Sequence, residues 1–360
     1  MDLLPSGGFA LGPGRIVIDD GLDRALPLTL SGYGPRVGLV VGGVGHRLLA
    51  GELRTAGVAW PPPGAITVPV PGAVTAELVA DTAAQLGWTG EPGTAAVDVI
   101  VGGGKVLDVA KATGDLATVP VVTVPTSAAT CACAATLSVL YTPSGGYATA
   151  RQVATVRELL IPRRIVSAAP ERLLVAGAFD AMAKYLELQW QLQERWGATD
   201  ALPWPAQLAA GVAEQIHHQI AERLRGAAPG GLAADDVLIL ANTVGAALVT
   251  GTQPPTRTGV AHAMYYMHRN RVAEPQLLHG EVVGTGLLVQ LILNDAPDQQ
   301  LLAFRELLQR YGLPTVLDAR ITGPDGVDDA FLAGWAGYCD ADPAALAAAV
   351  QRLPQLTQLH

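Results

Sequence analysis

Lysine is almost missing from this 360-residue chain: only Lys105, Lys111 and Lys184 occur among 23 basic residues, the other twenty being arginine. A bias toward arginine accounts for this, or the three survivors sit where an arginine will not serve. Cysteine is as scarce. Cys131, Cys133 and Cys339 are too few and too unevenly placed for a disulfide framework or a cysteine-based zinc site. That usage fits a reducing compartment, so a cytoplasmic location is expected. There is no basic run and the net charge is -9, which argues against a nucleic-acid binder, because such binding requires phosphate neutralisation. Long hydrophobic runs are lacking too. The two longest, 237–249 and 282–293, are interrupted by Asn242, Thr243, Thr285 and Gln290 and are too short to cross a bilayer. Met1–Gly14 has no basic start followed by an apolar stretch, so no signal peptide is expected. What is present is 50% hydrophobic residues, 41 Gly and 26 Pro, enough for a large core and incompatible with intrinsic disorder. The length favours two domains.

The first half alternates strand-like and helix-like segments. Val37–Val41, Ile66–Val70, Ala96–Val101 and Pro120–Val124 read as strands; Leu48–Ala56, Val74–Leu86 and Val106–Gly114 read as helices between them. Such alternation predicts a parallel, Rossmann-like α/β sheet, whose ligands bind at the carboxyl ends of the strands. Leu137–Thr142 and Tyr147–Arg151, joined through Pro143-Ser144-Gly145-Gly146, predict a hairpin. Beyond Ile165 strand signals stop, and 178–194, 208–224, 233–250, 281–294, 299–311 and 343–352 carry helical spacing of apolar residues. The expected organisation is an α/β domain over 1–165 and an all-α domain over 166–360, with cofactor and substrate between them.

Two constellations carry chemistry. Gly102-Gly103-Gly104 lies at a strand-to-helix turn, where glycines let the backbone approach a pyrophosphate and the helix N-terminus offers free N–H groups. An ordinary tight turn is the bland alternative. Asp108 and Lys111, one turn apart on the following helix, can pair. The second constellation is Asp180, His262 and His279, each set among apolar and small residues. A buried carboxylate is costly unless paired or metal-bound. One oxygen and two nitrogens make a catalytic zinc set with an open position, or an iron(II) set; satisfied core histidines and a capping aspartate are the bland alternative. His46, His268 and His360 show no partner in the sequence, and His217-His218 reads as part of a solvated helix face.

These pieces in this order resemble the iron-containing alcohol dehydrogenase superfamily, most of all its glycerol dehydrogenase branch. The resemblance rests on VGGGKVLDVAK (101–111), VPVVTVPTSAAT (119–130), LSVLYT (137–142), APERLLVAGAFD (169–180), ANT (241–243) and HGEVVGTGLLVQLI (279–292). It implies a dehydroquinate synthase-like fold, NAD or NADP on the first domain, one divalent metal on the second with zinc favoured over iron, a small alcohol or carbonyl substrate, and a homo-oligomer. It implies metal ligands at Asp180, His262 and His279. With the glycine turn it implies cofactor contacts at Gly102, Gly103, Gly104, Lys105, Asp108, Thr126, Thr130, Leu137 and Tyr141.

The chain departs from that branch at four places. Gly43 stands where an acid would hold a ribose 2′-hydroxyl, and nearby Arg47 could accept a 2′-phosphate. Cys131 replaces an aspartate that touches substrate. The segment 251–258 (GTQPPTRT) is longer and carries Arg257, and Tyr265 replaces a histidine. Lys184, one turn from Asp180 and on a face shared with Glu187, is either an intrahelical ion-pair partner or a reader of an anionic substrate group. DAMAKY (180–185) resembles the matching helix of glycerol-1-phosphate dehydrogenases. Lys184 and Cys131 are therefore the candidate substrate-facing residues. Two alternatives are a sugar phosphate cyclase-like lyase, which would carry a Ser-x-x-Gly-Gly-Lys stretch near 132–141 and a glutamate at 180, both missing here, and a non-catalytic nucleotide-binding relative, which would have lost a metal set whose three candidate ligands are all present.

Overall fold

The computed structural model describes residues 11–360 apart from 72–73, 155, 197–201, 253–257, 273, 357 and 359–360, and leaves undescribed the side chains of Lys105 and residues 194–196. It divides into two compact units, one ending at Pro170 and the next starting at Glu171.

In the first unit β1 (Arg15–Asp19), β2 (Val37–Val41), β3 (Ile66–Pro69), β4 (Val99–Gly103), β5 (Val121–Val124) and β8 (Val156–Pro162) form one six-stranded sheet, with β6 (Leu137–Tyr141) and β7 (Tyr147–Gln152) as a separate antiparallel hairpin. Helices α1 (Ala25–Leu30), α2 (Gly43–Thr55), α3 (Ala76–Gln85), α4 (Leu107–Ala117) and α5 (Arg163–Ser167) connect them. All pairs in the large sheet are parallel, in the order β3-β2-β4-β5-β8-β1. A parallel sheet covered on both faces needs continuous apolar strands. Alternate residues of β2, β4 and β5 duly feed two cores: Leu39, Val99, Val101 and Val122 on one face, Val40, Ile100 and Val121 on the other. The chain turns one way from β2 to β3 and the other way to β4. The switch point of the sheet therefore lies between the carboxyl ends of β2 and β4, where ligands of such sheets bind.

Among its described residues the second unit has helices and connecting turns but no strand: α6 (Glu171–Trp196), α7 (Trp204–Gly226), α8 (Asp236–Leu240), a π-helical turn (Ala241–Gly245), α9 (Ala246–Thr252), α10 (Val260–Arg271), α11 (His279–Leu293), α12 (Asp298–Arg310), α13 (Ala319–Thr322), α14 (Asp329–Cys339) and α15 (Pro343–Gln355). Local chemistry sets several starts. Asp235, Asp328 and Asp342 cap α8, α14 and α15 by accepting a backbone N–H, and Pro343 opens α15. Helix α11 is buried on nearly every side and packs against both α6 and α10. Among the described residues no helix is long and apolar enough to cross a membrane.

The elements differ from the sequence reading in instructive ways. β4 runs on through Gly102 and Gly103, because both pair with β5, opposite Thr123 and Val124. α2 starts at Gly43, several residues before Leu48, and α6 at Glu171, two turns before Ala178. β1, β8, α10 and α14 have no counterpart among the segments picked out by periodicity. β1 is short and half-exposed, and the first turn of α10 carries mixed small residues, so neither repeats an apolar period long enough to be seen.

Candidate active site

At the switch point of the first unit the segments that follow β2, β4 and β5 meet. Gly104 has φ +72, a conformation open to glycine, and a Cβ built on it would lie 3.2 Å from Gly45 Cα and 3.2 Å from Thr126 Oγ1. Gly104 follows β4, Gly45 lies in the first turn of α2 after β2, and Thr126 follows β5, so backbone from two of these places and one hydroxyl line a cradle that any side chain on Gly45 or Gly104 would fill. The N-terminus of α2 opens onto it, and no acidic residue occupies that helix's first turn. Gly102 and Gly103 have a different task. A Cβ on Gly102 would meet Ala110 Cβ at 2.4 Å, and one on Gly103 would meet Leu49 Cδ1 at 2.5 Å, so these glycines let α4 and α2 pack against the strand.

Lys111 is fully buried. Its ammonium lies 2.8 Å from Asp108 Oδ1 and donates to the carbonyls of Ala135, at 3.3 Å, and Leu137. A buried charge persists when paired and hydrogen-bonded in this way. It ties α4 to the start of β6, while Ser138 Oγ donates to the Asp108 carbonyl at 2.8 Å. On β6 the period of two puts Leu137, Val139 and Tyr141 on one half-exposed face, with Ser138 and Leu140 buried behind them. The Tyr141 N–H donates to Val74 O at 2.7 Å, beside the loop that leaves β3. Thr130 caps the short turn Cys131–Cys133, accepting the Ala132 N–H at 3.3 Å. Cys131 is half-buried there, whereas burial pushes the Cys133 thiol up to about 12. The side chain of Lys105 and the whole of Arg257 lie outside the described residues.

The second unit gathers Asp180, His262 and His279, whose ligand atoms all lie within 4.8 Å of one another. Asp180 Oδ1 is 3.1 Å from His262 Nε2 and 3.2 Å from His279 Nε2. Three helices deliver these groups, and glycines let them close. A Cβ on Gly280 would fall 1.8 Å from the Ala176 carbonyl oxygen, so α11 touches α6 beside His279. On Gly286 it would come 2.7 Å from Ala261 Cα, so α11 also touches α10 beside His262. Arg172 of α6 grips Glu281 through Nε–Oε1 at 2.5 Å and Nη2–Oε2 at 2.7 Å, and Glu281 Oε2 accepts the Leu278 N–H at 2.8 Å. This staples the N-terminus of α11, where His279 is the first residue. Tyr265 stands edge-on to the His279 ring, 4.2 Å between centroids, and buttresses it.

Lys184 and Glu187 complete the cluster from the same face of α6. Lys184 Nζ lies 3.4 Å from His262 Nε2. Glu187 takes His262 Nδ1 at 2.6 Å and the His262 backbone N–H at 2.9 Å. Burial by itself would raise the Asp180 carboxyl, but the charges of His279 and Lys184 and the hydrogen bonds from both imidazoles hold it well below the usual carboxylate range. Burial likewise opposes the lowering of Glu187, which His262 and Lys184 bring about. For His262 burial and Lys184 act downward, and Glu187 and Asp180 outweigh them and raise it. Such a set of one carboxylate oxygen and two imidazole nitrogens can hold a divalent cation with a position left open.

The structure thus brings together Asp180, His262, His279 and Lys184, and separately Gly104 with Thr126. Glu187 was visible in the sequence as sharing the face of Asp180 and Lys184. Its grip on His262 was not, because that partner lies 75 residues away. His218 is exposed as expected, but His217 is not solvated: it sits against the Tyr185 ring at 4.8 Å, and burial pushes it down to about 4. His268 has a partner after all, its Nδ1 lying 2.9 Å from Ile321 O.

Comparison with known proteins bears on the family and the fold. Residues 13–166 match the iron-containing alcohol dehydrogenase family. The chain is 32% identical over 240 residues to a glycerol dehydrogenase of Citrobacter freundii, covering 65% of this chain and 64% of that protein. It is 30% identical over 245 residues to a glycerol-1-phosphate dehydrogenase [NAD(P)+] of Methanosphaerula palustris, covering 66% and 64%. The chain thus spans just under two thirds of the length of the curated relatives it matches. Among solved structures, a probable glycerol dehydrogenase from Sinorhizobium meliloti 1021 superposes with a TM-score of 0.78 at 22% identity, over 98% of this chain and 99% of that one. Glycerol dehydrogenase from Schizosaccharomyces pombe gives 0.70 at 20% identity, over 96% and 90%. The resemblance to the iron-containing alcohol dehydrogenase superfamily and the two-part fold expected from it are therefore borne out.

Proposed function

We propose that this chain is a metal-dependent, NAD(P)-linked oxidoreductase of CH–OH groups: an alcohol or polyol dehydrogenase, or carbonyl reductase in reverse, for a small hydroxylated substrate that can carry an anionic group. The observation that carries the reading is the convergence of Asp180, His262 and His279 on one point, in a chain whose other unit has a glycine cradle at a sheet switch point. A divalent cation, zinc or iron(II), would supply Lewis acidity to a substrate oxygen there, and the nicotinamide would take or give the hydride. Asp180 would provide the compensating negative charge, and His262 and His279 the two neutral nitrogen donors. Lys184, beside the His262 donor atom, is suited to attract a phosphate or carboxylate.

In the first unit, Gly104 and Thr126 would cradle the pyrophosphate with the N-termini of α2 and α4. Gly102, Gly103, Lys105, Asp108, Thr130, Leu137 and Tyr141 would shape the rest of the cofactor site, and Cys131 would face substrate. Gly43 leaves no acid to reject a 2′-phosphate; a Cβ there would meet nothing within 4 Å, but its φ of +35 favours glycine. Arg47, exposed in the first turns of α2, adds a positive charge. NADP is therefore accepted alongside NAD. A homo-oligomer in the cytoplasm is part of the same reading. The test is a panel of polyols, hydroxy acids, phosphorylated alcohols and their carbonyl forms, run with both cofactors and with zinc or iron(II). Turnover that needs metal is expected; full turnover by a metal-stripped sample would refute the reading.

A further inference from the structure

We propose that Glu187 is the positioning residue of the metal site: it fixes the tautomer and ring orientation of His262 so that Nε2, not Nδ1, faces Asp180 and His279. The inference rests on reading Asp180, His262 and His279 as a cation site. Glu187 lies two turns beyond Asp180 on α6 and is buried. One of its oxygens accepts the His262 backbone N–H at 2.9 Å, and the other lies 2.6 Å from Nδ1. A carboxylate at that distance requires a hydrogen on Nδ1, which leaves the Nε2 lone pair for a cation. The backbone N–H belongs to the first turn of α10, where donors have no partner within the helix. A two-point grip therefore holds both the ring and the start of the helix that carries it.

The neighbouring backbone is shaped for this carboxylate. Gly259 precedes α10, and a Cβ there would lie 2.2 Å from Glu187 Cδ. No other side chain at 259 would let Glu187 reach His262 in this position. Gln290 Oε1 takes the next free donor, the Val260 N–H, at 3.2 Å, so Glu187 is left to His262 alone at this helix end. A glutamine at 187 would fill the same volume but could not accept from both donors. Its amide would face either the backbone N–H or Nδ1 with a donor, and the second case favours the wrong tautomer.

The experiment uses the full chain and zinc alone, titrated against a chromophoric chelator, with nitrogen-15 histidine spectra of the zinc-loaded protein. Glu187→Gln is expected to weaken zinc by about 10–100-fold. In the wild-type protein the His262 signals should show hydrogen on Nδ1 and metal on Nε2. A role in packing alone predicts unchanged zinc affinity in the isosteric variant, and that result would overturn the proposal. So would metal on Nδ1 in the wild-type spectrum, a reading that holds even if the variant fails to fold. Wild-type protein that binds no zinc would remove the site and the proposal together, whereas tight wild-type binding matched by Glu187→Gln removes the proposal alone.

Discussion

Gly280→Ala tests whether a single helix contact brings His279 to Asp180. In an open helix the change would be favourable by about 1 kcal/mol, because alanine is the better helix former. At position 280 the new Cβ would lie 1.8 Å from the Ala176 carbonyl oxygen, and reaching even 3.0 Å requires α11 to retreat by about 1.2 Å. Overpacking of this kind costs about 1–3 kcal/mol, which outweighs the propensity gain. The larger effect falls on the site. His279 is the preceding residue and its Nε2 stands 3.2 Å from Asp180 Oδ1, whereas cation sites tolerate only about 0.2 Å in ligand distances. Zinc affinity measured by chelator competition should fall at least about tenfold, and the melting temperature should drop. Gly211→Ala on α7 is the control: a Cβ there meets nothing within 4 Å, so that variant should be stabilised by about 1 kcal/mol. A Gly280→Ala protein that melts at or above the wild type and binds zinc equally would refute the packing argument.

Four further outcomes are expected. His217 is held down to about 4 by burial, with Arg225 and His218 acting the same way and a hydrogen bond to Met182 opposing them. Its unfolded value near 6.5 is higher, so its stabilising contribution is complete above that pH and is lost as the pH falls toward 4, a change of about 3 kcal/mol. Denaturant titrations of wild type and His217→Gln should differ in pH slope across that window, and parallel slopes would contradict the assignment. For cofactor choice, Gly43→Asp, at some cost in backbone strain because φ there is +35, should shift the kcat/KM ratio toward NAD by about tenfold or more, since an acid there binds the 2′-hydroxyl and repels a 2′-phosphate; Arg47→Ala should raise the KM for NADP. Lys184→Ala should raise the KM for a phosphorylated or carboxylated substrate about tenfold or more and leave a neutral polyol little changed, and an equal effect on both would deny it a role in anion binding.

Much of the first unit was legible because its signals are local. β-branched runs such as Val37–Val41 and Val121–Val124 announce buried strands, and the turn in Pro143–Gly146 announces the hairpin. The triple glycine was legible as a feature but not in its division of labour. Gly104 needs its positive φ, while Gly102 and Gly103 are required by Ala110 and Leu49, which approach from helices elsewhere in the fold. The three lysines show the same limit. Their scarcity marked them, and spacing paired Lys111 with Asp108, but only the fold reveals that Lys111 is buried and staples α4 to the hairpin.

From the sequence alone came the chemical identity of the donors and the alternation that makes a parallel sheet followed by helices. Those properties belong to single residues and to short repeats, so neighbours along the chain are enough to express them. The same three donors were picked out in the sequence, but only the tertiary structure brings them together. Asp180 and His279 are 99 residues apart, and they meet because Gly280 and Gly286 allow α11 to touch both α6 and α10. It also decided that Glu187 holds His262, since the backbone N–H and imidazole that bind it come from another helix. Convergence of this kind depends on close packing between distant segments, which no local pattern encodes.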